Sequence, residues 1–187
     1  MIACPSGAET APPLVAAILG DRALEPLLAR IVAGQIEAGR RVSGCLMRRA
    51  PLEAGGGATM VLVDIRTSEE YVVAQPLGAN SKACRADPQG FARASQVFRT
   101  ALDEGSDLVV SNRFGDLEVR GGGFCAELLE LMSAQIPLLT TVSQKNVQAW
   151  KDFTGGAALL PADENAVEAW IRRAIRQRQA SARVDVA

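Results

Sequence analysis

Residues 107–118 read Asp-Leu-Val-Val-Ser-Asn-Arg-Phe-Gly-Asp-Leu-Glu, and this stretch constrains the fold more than any other. Its first part is a short Val-rich run, the pattern of a strand covered on both faces. Its second part turns polar where such a strand would leave the sheet. In open α/β sheets, ligands gather outside the carboxyl ends of the strands, which turns Asn112, Arg113 and Glu118 toward any site. An arginine at a strand end is a poor core residue; the plainer alternative is a solvated turn.

The rest of the chain supplies a sheet for that strand. Leu14–Leu19 (LVAAIL) reads as a first buried strand broken by Gly20-Asp21. A helix follows, starting near Ala23–Glu25 because Pro26 fits only a first turn, with Gly39 at its end. Arg41–Met47 is a second strand and 48–58 a loop with Gly55-Gly56-Gly57 at its tip. Met60–Ile65 and Tyr71–Ala74 suggest a β-hairpin. Asp87-Pro88 opens a helix to about Asp103, with a carboxylate cap and proline at the first position. Gly121-Gly122-Gly123 leads into another helix, Ile136–Val142 is a buried strand, Lys145–Phe153 is short and helical or looped, and Ala157–Leu160 is a last strand. Asp163–Arg178 is a C-terminal helix with Val167, Trp170, Ile171 and Ile175 inward. This alternation predicts an α/β fold: a mostly parallel sheet with helices on both faces and a small β-hairpin insertion. The expected organisation is a flexible N-terminus over 1–13, a single domain over 14–178 and a flexible C-terminus over 179–187.

Composition narrows the chemistry. The 187 residues carry 20 basic and 21 acidic side chains, a net charge of -1, which is not the basic footprint of a nucleic-acid binder. The absence of histidine removes the commonest metal ligand and every Ser-His or Cys-His nucleophile pair. Cys4, Cys45, Cys84 and Cys125 are widely scattered with no CxxC, which argues against a metal cage and for a reducing, cytoplasmic setting. No apolar run approaches membrane-spanning length.

Ser81, Lys82 and Arg85 precede the Asp87-Pro88 helix start, where backbone N–H groups and the helix dipole favour an anion. Cys84 beside Arg85 is either a thiol of lowered pKa or a small buried residue. Glu118 is expected to orient Arg113. Trp150 and Trp170 read as core, and Arg172, Arg173, Arg176 and Arg178 as a solvated helix face.

The element order resembles the small nucleoside-triphosphatases of the P-loop class. More closely, the chain is similar to an uncharacterised bacterial family, domain of unknown function 2478, related to them. The residues that carry the resemblance are Cys84-Arg85-Ala86-Asp87, Asn112-Arg113-Phe114-Gly115-Asp116-Leu117-Glu118 and Gln148-Ala149-Trp150. It implies a P-loop-type three-layer fold, and a genetic neighbourhood that often holds molybdate-transport genes. The phosphate-binding pattern G-x-x-x-x-G-K-[ST], laid over Gly20, meets Glu25, Pro26 and Leu27, which supply neither the lysine nor the hydroxyl. Asn112-Arg113 stands where that class ends its strand in an Asp-Glu pair, so a magnesium ligand and a base are also missing.

The expected function is a non-catalytic oxyanion binder in molybdenum homeostasis, with molybdate, tungstate or a phosphate-like anion as ligand. Ser81, Lys82, Arg85 and Arg113 are the anion-binding residues, and Asn112, Glu118 and Cys84 support them. No catalytic residue, metal ligand or cofactor is expected. The alternatives are a nucleotide-binding protein or unusual nucleoside-triphosphatase, and an interaction module that kept the fold and lost its ligand. Self-association into a homo-oligomer is compatible with each reading.

Overall fold

The computed structural model describes residues 14–21, 24–51, 58–74 and 86–184. A seven-stranded sheet runs through it in the order β4-β3-β2-β5-β6-β1-β7. These strands are β1 (Val15–Leu19), β2 (Val42–Pro51), β3 (Ala58–Asp64), β4 (Glu70–Val72), β5 (Leu108–Ser111), β6 (Leu138–Val142) and β7 (Ala158–Leu160). The helices are α1 (Glu25–Glu37), α2 (Pro88–Glu104), α3 (Asp116–Val119), α4 (Cys125–Ser133), α5 (Val147–Thr154) and α6 (Glu164–Val184). β1, β2, β5, β6 and β7 are parallel, and β3 and β4 add antiparallel to the edge of β2. The mostly parallel sheet expected from sequence is present, with β1 and β5 both paired to β6.

Strand side chains alternate between two cores because successive residues point to opposite faces. Val15, Ala17, Val109 and Leu138 pack with α2, α4 and Trp150. Ala16, Ile18, Leu108, Val110 and Leu139 pack with α1 and α6. Burying one such Leu, Val or Ile fully stabilises the fold by about 1.5–3 kcal/mol, so neither layer of helices is dispensable. Gly44 is a close-approach position: it sits at φ 114°, and a Cβ there would lie 2.0 Å from the Val110 carbonyl oxygen on β5.

Helix starts follow the sequence signals. Asp87 caps α2 by accepting from the Gln89 N–H at 3.1 Å, with Pro88 first in the helix. Pro26 sits in the first turn of α1, and Gly39 (φ 75°) follows its end. Trp150 and Trp170 are both buried, in opposite cores.

Three expectations are corrected. Residues 48–51 are strand rather than loop: Arg48 pairs with Val61 and Pro51 with Ala58, so β2 outruns its apolar part because β3 supplies partners. The hairpin is accordingly a three-stranded antiparallel extension. At the C-terminus, α6 continues past Arg178 to Val184, and Arg178 turns onto the Ser106 carbonyl instead of joining a solvated face. The expected flexible segment 1–13 lies outside the described residues.

Candidate functional site

The parallel strands end along one edge of the sheet, and the stretch after β5 is shaped by how it leaves. Pairing with β6 breaks after Val110 and resumes at Phe114, whose N–H bonds the Thr141 carbonyl at 2.9 Å. Phe114 is buried, with its ring 5.3 Å from Trp150 and 5.2 Å from Phe153. On the other side Asn112 is fixed: its Oδ1 accepts from the Met47 N–H at 3.0 Å, and its carbonyl accepts from Thr141 Oγ1 at 2.7 Å. Two anchored residues thus flank one that cannot turn inward. Arg113 is exposed and makes no hydrogen bond or ion pair with a described residue.

Glu118 and Asn112 were expected to hold Arg113, and that is corrected. Glu118 sits at the third position of α3 and is buried. Its carboxylate accepts from the Gly115 N–H at 2.9 Å and the Phe124 N–H at 3.3 Å. It therefore closes the turn from β5 into α4, and Arg113 acts on it through its charge alone, without a hydrogen bond. Burial raises its carboxyl above the usual carboxylate range, against the opposing pull of those backbone N–H groups and of nearby Arg113. Gly123 is required beside it: at φ 57°, a Cβ would lie 2.0 Å from Glu118 Oε1.

Asp116 is occupied as well. Lys145 Nζ lies 2.8 Å from its Oδ1 and 2.9 Å from its Oδ2, and Asn146 Nδ2 adds a bond at 3.3 Å. These hydrogen bonds hold its carboxyl below the usual range. The pair ties α3 to the segment that follows β6.

Two cavities meet at this place, sharing Met47, Met60, Asn112 and Arg113 as lining. The first, about 480 Å³, has apolar walls from Leu62, Val73, Phe91, Leu117 and Phe124, with Asp116, Glu118 and Lys145 toward α3. The second, about 500 Å³, lies where β1 runs into α1 and is lined by Gly20, Asp21, Glu25, Arg48, Arg49 and Thr141. Asp21 accepts from the Gln144 N–H at 2.9 Å, and Arg48 pairs with Glu70. Leu24 caps α1 without a side-chain bond, so the helix start faces this cavity with no acceptor from its own cap.

Of the residues singled out in the sequence, Asn112, Arg113 and Glu118 do gather at the strand end. Ser81, Lys82, Cys84 and Arg85 lie outside the described residues; Ala86, which pairs with Ala74, lines the first cavity. Arg48, Arg49, Lys145 and Asp21 were missed. The consecutive arginines carried a signal, since they directly follow a strand that ends on the same edge. Among the described residues no cluster of three His, Cys, Asp or Glu could hold a metal, and no helix is long and apolar enough to cross a membrane.

Sheet order and helix layers together give a P-loop nucleoside-triphosphatase-like α/β fold. A solution structure of a human cancer-related nucleoside triphosphatase superimposes with a TM-score of 0.58 at 14% identity, covering 80% of this chain and 88% of that one. The family described as protein of unknown function DUF2478 matches residues 15–170, and the chain belongs to it. A protein of Bradyrhizobium diazoefficiens named molybdenum import ATP-binding protein ModC 2 is 37% identical over 168 residues. That match covers 88% of this chain but only 19% of the relative, so the chain spans about a fifth of its length.

Proposed function

We propose that the chain is a non-hydrolytic oxyanion-binding module on a P-loop-type fold, taking molybdate, tungstate or a phosphate-like dianion in molybdenum handling in the cytoplasm. The observation that carries the reading is Arg113, an exposed guanidinium with no hydrogen bond or ion pair to a described residue, at the strand end where two cavities meet. Its planar fork suits a tetrahedral oxyanion, and Arg49 lines the same second cavity. The start of α1 would add the favourable end of its dipole, opposed by the Glu25 carboxylate at its first position, while Pro26 at its second has no N–H to give. Arg85, Lys82 and Ser81 complete the proposed ligand set, with Cys84 beside them. The name of the Bradyrhizobium relative supports molybdate as the first anion to try.

Hydrolysis is not part of the proposal. Beyond Gly20 the chain offers Glu25 and Pro26 where a phosphate loop needs glycine and lysine, and the strand end offers an amide and a cation. The second reading, a nucleotide binder or unusual triphosphatase, draws on the fold neighbour and on the relative's ATP-binding name. Calorimetric titration of molybdate, tungstate, sulfate, phosphate and ATP, with and without magnesium, separates the two. On the oxyanion reading, an inorganic dianion binds without magnesium. A hydrogen bond to a charged group contributes about 1.5–3 kcal/mol, so Arg113→Ala and Arg85→Ala each weaken binding roughly tenfold to a hundredfold. ATP binding that requires magnesium, with turnover, would establish the second reading instead.

A further inference from the structure

An inorganic oxyanion needs only the polar cavity, yet Arg113 also lines an apolar one of about 480 Å³. Ligand pockets for organic molecules have this size and this make-up, apolar walls with a few convergent polar groups. Its carboxylates carry little free negative charge: Asp116 is neutralised by Lys145, and Glu118 is buried on backbone N–H groups. The four residues shared with the second cavity include two methionines, Met47 and Met60, which adapt to irregular shapes and make favourable contacts with aromatic rings. Half-buried Phe91 stands in the wall with its ring tilted 52° against Phe124 at 5.1 Å. The lining thus offers aromatic rings and thioether sulfur together with one guanidinium.

Resting on the reading of Arg113 as an oxyanion ligand, we propose that the two cavities form one bipartite site for an aromatic oxyanion. A phosphate-like group would sit on Arg113 beside Arg49 in the second cavity, and the ring would lie between Phe91, Met47 and Met60. The aromatic body thus lies on the β2–β3 side of β5, away from the β1–α1 junction.

The probes are inorganic phosphate, methyl phosphate and 1-naphthyl phosphate, titrated calorimetrically into the whole chain. Naphthyl phosphate should bind at least about tenfold tighter than methyl phosphate, because only its ring can be withdrawn from water. Phe91→Ala should reduce that advantage to roughly threefold while phosphate affinity stays unchanged; Arg113→Ala should weaken all three probes. Methionine methyl NMR supplies a readout that needs no variant: naphthyl phosphate should shift the Met47 and Met60 signals by ring currents and leave Met132 in place. If phosphate binds but the naphthyl ester gains nothing, or the ring shifts other residues only, the bipartite site is wrong and the oxyanion reading stands. If none of the probes binds while molybdate or tungstate does, the bipartite site falls alone; if no anion binds, both fall.

Discussion

Three adjacent glycines offer an internally controlled test of how the turn behind Arg113 is held. At Gly121 (φ 78°) an added methyl would find nothing within 4 Å, so an alanine there meets backbone strain alone. That strain costs about 1–2 kcal/mol for a non-glycine residue in the left-handed region. Gly122 is not left-handed, and its added Cβ would rest 3.5 Å from the Leu117 carbonyl, an ordinary contact. Alanine there should stay within about 1 kcal/mol of wild type, since it also restricts the unfolded chain. Gly123 (φ 57°) combines strain with collision, its Cβ falling 2.0 Å from Glu118 Oε1 and 2.8 Å from the carboxyl carbon. The carboxylate must then leave the Phe124 N–H, and losing a hydrogen bond to a charged group adds about 1.5–3 kcal/mol. Gly123→Ala should therefore cost about 3–5 kcal/mol in total. Urea unfolding followed by Trp150 and Trp170 fluorescence measures all three. Gly123→Ala equal in cost to Gly121→Ala would refute the account, because it would mean the Glu118 carboxylate is not pinned.

Further outcomes concern the same region. Because burial raises the Glu118 carboxyl, the folded chain holds that proton more tightly than the unfolded one. The stability this contributes is present in full below about pH 4, the ordinary glutamate range, and is lost as pH rises through the folded value. Wild type should thus lose stability relative to Glu118→Gln as pH rises above about 4; a pH-independent difference between their melting curves would count against it. Lys145→Ala should let the Asp116 carboxyl climb back toward its usual range in an NMR titration. Stability should change by less than about 1 kcal/mol, as the pair is exposed. Purified protein with magnesium should release phosphate from ATP or GTP no faster than the buffer blank, and turnover abolished by Arg113→Ala would overturn the non-hydrolytic reading.

The buried strands were readable because each is an apolar run that only a doubly covered sheet accommodates. Asp87-Pro88 and Gly39 marked helix boundaries for equally local reasons. Arg48–Pro51 was not readable as strand: its residues favour solvent, and only the pairing with Ala58–Val61 makes them extended. That partner is a tertiary fact. Glu118 was seen but given the wrong task. Charge suggested a partner for Arg113, whereas the three-residue step from Gly115 already matched a helix N-terminus closed by its third residue. Arg113 itself was legible, since nothing else in an apolar strand's exit competes to bury a guanidinium.

The position of β1 has a consequence for how this chain can be made. Val15–Leu19 is the earliest strand of the sheet in sequence, but its neighbours are β6 and β7, with Val15 opposite Leu138 and Ala16 opposite Ala158. β2 and β3, by contrast, are joined by a short connection and can pair as soon as both have emerged. During synthesis the VAAIL segment therefore waits, uncharged and unpartnered, until β6 and β7 have been made. Exposed apolar segments of this kind invite association between nascent chains. Chains stopped before Leu138 should accordingly accumulate as aggregates, while the β2–β3 unit loses little of its own pairing. The β6–β1–β7 side of the finished sheet is the last part of it to be completed.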